Sequence, residues 1–368
     1  MAIAVALALI LGLLAIYEGK LKPFRNRWVL FFLGYMLVNF TLAPKIFLID
    51  QGVASSWMWR AMLIILIFAL MLFAISSIRL TQKDKDVIFE IITWCGFIVA
   101  AYMIFQRFGI EQWFDVKGKI PKVIHPGCIG AAFGSPVVAS SFLSLTVPIA
   151  LLIKKWWKAL LMIIAVCITG SQVAIGALAI GLISIIALKS KKKFVFITSP
   201  LLVLVIIFII LCATIPKVRA TVGDHERFRI WTQIARDLKN PIAKGSTARY
   251  ALTGYGMGTF GELFFRKHEG KFIYGRFRKA HNDYLELLYN VGVIGLIIFL
   301  SAIGKLFKDN FKLCRFNKET RYLMSSFIGI AVCAGGFFVW QLGAHIFYTI
   351  VILGLLHNKR EVEDERRI

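Results

Sequence analysis

The stretch Ala280-His281-Asn282-Asp283-Tyr284-Leu285-Glu286 sets a polar cluster directly ahead of a long apolar run. His281 is the candidate catalytic base, because a neutral imidazole can take a proton from a hydroxyl near physiological pH. Asn282 is a good helix-starting residue. Asp283 and Glu286 fall in the following turn, where the positive helix end favours acids. The same positive end favours a nearby anion and keeps an adjacent imidazole neutral. Asn282 and Tyr284 stand where they could orient the base or a hydroxyl substrate. A lone histidine at such a boundary serves equally well as an interfacial anchor, so its chemistry needs support from other residues.

That support comes from a basic and aromatic segment upstream. Arg227–Asn240 reads as an amphipathic helix with Phe228, Trp231, Ala235 and Leu238 on one face, ended by Pro241. Arg227 lies one turn before Trp231, and Arg229 and Lys279 add cations that suit an anionic ligand. The following Gly254-Tyr255-Gly256-Met257-Gly258-Thr259-Phe260-Gly261 contains a GxGxxG pattern. No strand–turn–helix unit surrounds it, which excludes the dinucleotide reading and leaves sharp backbone turns at a crowded surface. Gly292 and Gly295 offer a small face for close helix packing. The six cysteines are scattered with no CxxC pair, so neither a disulfide framework nor a metal site is expected. Asp50 stands alone, and Asp224-His225-Glu226 is a weak cluster. The reading is therefore metal-independent chemistry without a cofactor.

The elements that must carry these residues are membrane helices. The chain has 368 residues, 58% of them hydrophobic, with mean hydropathy +0.74. That composition predicts an all-α polytopic membrane protein of about 11 (10–12) transmembrane helices with one large extracytoplasmic loop. The spans fall near 2–17, 28–43, 57–78, 87–108, 128–153, 156–169, 173–188, 194–215, 284–306, 322–340 and 344–356. The net charge of +24 does not call for nucleic acid. More than half of the 44 Lys and Arg sit in the alternate segments 18–27, 79–86, 154–158, 189–193, 305–321 and 357–368. The positive-inside rule makes that side cytoplasmic, with the N-terminus outside and the C-terminus inside. The first segment lacks a basic leader and a small-residue cleavage site, and reads as a retained span. Residues 216–283 lie outside yet carry 14 Lys and Arg against six acids. Long loops translocate regardless of charge, so an anion site and a passive loop both fit. The whole reads as one membrane domain, 1–368, containing the 216–283 loop and a charged, frayed cytoplasmic tail at 357–368.

The run HNDYLELLYNVGVIGLIIFL resembles the signature of the O-antigen ligase and polymerase superfamily. AAFGSPVVASSFLSLTVPIAL (131–151), ITGSQVAIGALAI (168–180), and ERFRIWTQIARDLKNPIAKG followed by GYGMGTF (226–260) resemble further family segments in the same order. The likeness covers roughly residues 125–300. It implies a GT-C-like fold in the bacterial cytoplasmic membrane. It also implies transfer of a glycan from an undecaprenyl-diphosphate carrier to an acceptor hydroxyl on a glycan or lipid core. By that resemblance His281 is the catalytic histidine and Arg227 a diphosphate-binding arginine, with Arg229 and Lys279 assisting. Gln172 occupies the position at which many members carry an arginine, and Trp231, Asn282 and Tyr284 are supporting residues. The expected partners are the lipid-linked donor, the acceptor and the bilayer.

The recognised segments report donor and chemistry, so ligase and polymerase stay open. A flippase for lipid-linked sugars is a separate class. It fits less well, since Arg60 and Glu90 lie near span ends, the span centres are nearly uncharged, and no internal repeat is visible. A non-catalytic assembly subunit is the remaining alternative.

Overall fold

The computed structural model describes residues 29–39, 55–77, 80–108, 131–133, 135–190, 192, 225–239, 247–264, 268 and 279–365. Among these residues every regular element is helical and no strand occurs. In chain order the α-helices are α1 (Val29–Asn39), α2 (Ser55–Ser77), α3 (Gln82–Arg107), α4 (Pro136–Leu152), α5 (Trp156–Ile168), α6 (Gln172–Ala187), α7 (His225–Lys239), α8 (Thr247–Thr253), α9 (Asp283–Phe316), α10 (Lys318–Ala334) and α11 (Gly343–Glu365).

By length and composition, α3 and α9 are each able to cross a bilayer, and α1, α4, α5, α6, 61–76 of α2 and 343–357 of α11 are shorter apolar helices. This is the character of a helical membrane protein. The expected spans 2–17 and 194–215, and the part of 28–43 beyond residue 39, lie outside the described residues, as do Asp50 and Asp224.

The chain divides into two compact units where the sequence reads as one continuous domain. One comprises Met1–Leu13, Lys22–Phe73 and Val195–Lys308; the other comprises Leu14–Leu21, Ala74–Phe194 and Asp309–Ile368. The second unit is a bundle in which α4 packs on α3, α5, α6 and α10, and α10 packs on α6. Local sequence sets the helix starts. Thr81 and Asp84 close a reciprocal capping box on α3, with Thr81 N–H donating to Asp84 Oδ2 at 2.9 Å. Ser171 caps α6 and Asn317 caps α10. Gly181 of α6 and Gly329 of α10 meet backbone to backbone, where an added Cβ would stand 3.4 Å from the Ser325 carbonyl and 3.2 Å from that of Ala177. Small residues at a helix crossing allow this approach.

Three boundaries differ from the sequence expectation. The basic segment 305–321, read as a loop, is helical through Phe316, and Asn317 alone separates α9 from α10. Its charges are spaced among good helix formers, and chain propensity overrides the polar character that suggested a loop. α11 runs on past His357 as far as Glu365. The expected span 284–306 is interrupted: Gly292 (φ 68, ψ −174) breaks α9 near its start. Only glycine readily enters this region of backbone space.

Candidate active site

Among the described residues, His281 lies in the first unit, where α7 and residues 247–264 pack against the start of α9. The core of this region is aromatic. Tyr255 stacks on Tyr250 (4.9 Å between ring centroids) and on Tyr289 (4.5 Å), and Phe260 stacks on Phe264 (4.8 Å). Ile230 and Ile234 of α7 bury into the same cluster, with Trp231 and Leu238 packed at its edge. The face of α7 is therefore turned from the one read in sequence: Ala235 is exposed, and Ile230, Ile234 and Asp237 point inward. Both faces satisfy a helical period, and the shape of the aromatic cluster selects between them.

The glycine-rich segment is fastened to α9 by its backbone. Tyr255 N–H donates to the Tyr289 carbonyl at 3.0 Å and Gly256 N–H to the Asn290 carbonyl at 2.8 Å. Gly254 and Gly292 both have positive φ, and a Cβ on either would meet backbone of the other segment closer than 3.0 Å. Gly292 thus admits the 252–254 backbone, while Gly295 takes a helix neighbour, the Tyr35 ring of α1. Asn290 accepts the Phe260 N–H at 3.1 Å. Asn39 donates to the Thr253 carbonyl at 2.6 Å and Tyr35 to the Val291 carbonyl at 2.8 Å.

His281 sits half-buried at the head of this assembly with φ 52. A non-glycine residue in the left-handed region costs about 1–3 kcal/mol and persists where its surroundings over-determine it. Here both neighbours are tied. The Ala280 N–H donates to Glu286 Oε2 at 3.0 Å, and the Ala280 carbonyl accepts the Trp231 indole N–H at 2.8 Å. On the other side Asn282 caps α9, its Oδ1 accepting from Tyr284 N–H at 3.0 Å and Leu285 N–H at 3.1 Å. Tyr284 stays half-buried beside the turn. Glu286, read in sequence only as a dipole-complementing acid, is a buried fastener that also ion-pairs with Lys279 at 3.6 Å.

Trp231 joins the helix of the candidate arginines to the turn of the candidate base. Arg227 is half-buried in the first turn of α7, on the Trp231 side. Arg229 is exposed and lies about 200° round the helix from Arg227, so the two do not share a face. Lys279 is adjacent to the His281 turn and spends charge on Glu286. Gln172 belongs to the other unit, exposed at the first residue of α6 behind the Ser171 cap.

One pair escaped the sequence reading. Asp237 and His268 are buried in the aromatic core and bonded, Nε2 to Oδ2 at 2.9 Å. They lie 31 residues apart, and no short motif joins them.

Residues 157–300 match the family model described as O-antigen ligase. No curated protein matches the chain. The matched stretch contains Gln172, Arg227, Lys279 and His281.

Proposed function

We propose, from the match of residues 157–300 to the O-antigen ligase family model, that this membrane protein is a glycosyltransferase acting on the outer face of the bacterial cytoplasmic membrane. The N-terminus lies outside and the C-terminus inside. The donor is a glycan on undecaprenyl diphosphate, and the acceptor is a hydroxyl of another glycan or of a lipid core. His281 takes the acceptor proton as the oxygen attacks the anomeric carbon. The bond from that carbon to the diphosphate oxygen breaks, and the carrier diphosphate leaves with the electron pair, inverting the centre. Diphosphate is a good leaving group and needs no acid; it needs cations to hold its charge. Arg227 supplies the principal contact, with Lys279 and Arg229 contributing to the positive field. Trp231, Asn282 and Tyr284 hold or orient the base and acceptor.

The observation that supports this reading best is the strained His281 turn. The residue before it is held at its N–H by Glu286 and at its carbonyl by Trp231. An interfacial anchor needs no such constraint, whereas a base must be held in one orientation. The test is His281→Gln in proteoliposomes with lipid-linked donor and acceptor. Transfer should fall by about 10²–10⁴-fold while donor binding persists; near-normal transfer ends the base assignment. Arg227→Lys should lose most activity, because a bidentate fork becomes a point charge. Unchanged donor binding and turnover in Arg227→Ala rejects the diphosphate role.

A further inference from the structure

The buried Asp237–His268 pair has no place in the chemistry above, and its setting is unusual. Each side chain is 2% exposed, within a core of Tyr255, Phe260, Phe264 and Tyr289. Asp237 lies in the last turns of α7, the negative end of the helix dipole, where an acid is disfavoured. Two apolar side chains of similar volume would fill this space without the desolvation cost of a polar pair. What the pair adds is direction, since hydrogen bonds fix orientation and apolar contacts do not.

Asp237 is held at three points. His268 Nε2 meets Oδ2 at 2.9 Å, Gln233 Nε2–H donates to Oδ1 at 3.0 Å, and the Tyr255 hydroxyl donates to the Asp237 carbonyl at 2.9 Å. His268 is itself seated by its N–H on the Phe264 carbonyl at 3.1 Å and by the Phe264 ring edge-on at 4.9 Å. Helix α7 is therefore bolted at Asp237 and again at Trp231, about 9 Å apart along the axis. Arg227 projects about 6 Å beyond the second bolt. With the first bolt removed, Trp231 becomes a pivot, and a tilt of about 10° moves the Arg227 backbone by about 1 Å, a misplacement that costs up to about 10²-fold in a positioned group.

We propose that Asp237 and His268 are positioning residues that set the aim of Arg227 on the donor diphosphate, governing donor recognition without touching the donor. The proposal rests on the donor role of Arg227 in the reading above. Its test is the double variant Asp237→Leu with His268→Leu, which keeps the core filled and removes the carboxylate bonds to His268 and Gln233, while the Tyr255 hydroxyl keeps its bond to the carbonyl of residue 237. The double variant is to fold with a thermal midpoint near that of the parent in detergent, yet show a donor KM raised about 10-fold or more with acceptor KM unchanged. His268→Gln, whose amide can still donate to Asp237, is to recover most of the donor affinity. A parental donor KM in the folded leucine pair overturns the proposal. If the leucine pair does not fold, His268→Phe decides instead: it keeps a ring in the core and removes the bond to Asp237 Oδ2, and a parental donor KM there overturns the proposal equally. Arg227→Ala run in parallel separates the two failures. A raised donor KM in Arg227→Ala with a parental value in the leucine pair rejects the positioning role alone, whereas a parental value in Arg227→Ala rejects the donor reading beneath it.

Discussion

In the bundle of the second unit, most buried hydroxyls donate to a carbonyl of their own helix; among the described residues of the insertion and its neighbours in the first, polar groups bond across tens of residues. Ser140, Ser141, Thr146 and Ser184 each donate to a carbonyl three or four residues back in their own helix. Where a bond crosses helices, as Ser144 to the Ala174 carbonyl, Ser325 to the Gly181 carbonyl or Ser141 Oγ to His345 Nε2 at 2.8 Å, the helices have already satisfied their own backbone. In the insertion, Trp231 reaches Ala280, Tyr255 reaches Asp237, Asn290 reaches Phe260 and Asn39 reaches Thr253. These bonds serve irregular backbone that has no ladder of its own. The bundle should therefore tolerate the loss of one polar group, and the insertion should not.

Gly292→Ala tests that contrast hardest. A methyl group there enters a backbone region closed to alanine and strikes the Leu252 carbonyl. Transfer should fall at least as far as in the His281 variant, and limited proteolysis should open the 216–283 segment. Parental transfer in Gly292→Ala would break the claim that this crossing shapes the site. A smaller effect is expected from Trp231→Phe, which keeps the ring against Phe228 (5.3 Å between centroids) and removes the bond to the Ala280 carbonyl. A net hydrogen bond is worth about 1 kcal/mol, so transfer should drop about 5-fold, with kcat affected more than donor KM. An unchanged kcat would mean that the His281 turn stands without α7. Ser325→Ala in the bundle should change least. Polar bonds between membrane helices average about 0.6 kcal/mol, so the thermal midpoint should shift by little and transfer should match the parent. A loss there comparable to Trp231→Phe would erase the distinction between the two regions.

How much of the site was legible follows the same division. His281, Asn282 and the α9 cap were readable because capping is a local property of consecutive residues. The amphipathic α7 was readable as a helix, but its inward face was assigned toward Ala235 when Ile230 and Ile234 carry it. Period alone leaves that rotation open until the partner surface is known. Glu286 was visible as an acid near a helix start, but its reach back to Ala280 depends on the left-handed turn at His281, which no propensity announces. The glycines of 254–258 were read as turn-formers, and the positive φ of Gly254, Gly256 and Gly258 agrees. What they turn against, the break in α9, was hidden because Gly292 reads in sequence as one more small residue in an apolar run.

The sequence by itself determined the chemistry on offer and the medium: apolar segments of bilayer length, basic segments in alternation, a histidine ahead of a helix, and an arginine one turn from a tryptophan. These follow from residue type and short-range spacing, which the chain carries wherever it folds. Tertiary structure alone decided that α7 rests on the His281 turn through Trp231, that Gly292 admits the 252–254 backbone, and that Asp237 meets His268 in an aromatic core. Each of these joins residues distant along the chain, and their meeting depends on how irregular backbone satisfies its hydrogen bonds once the aromatic rings have packed.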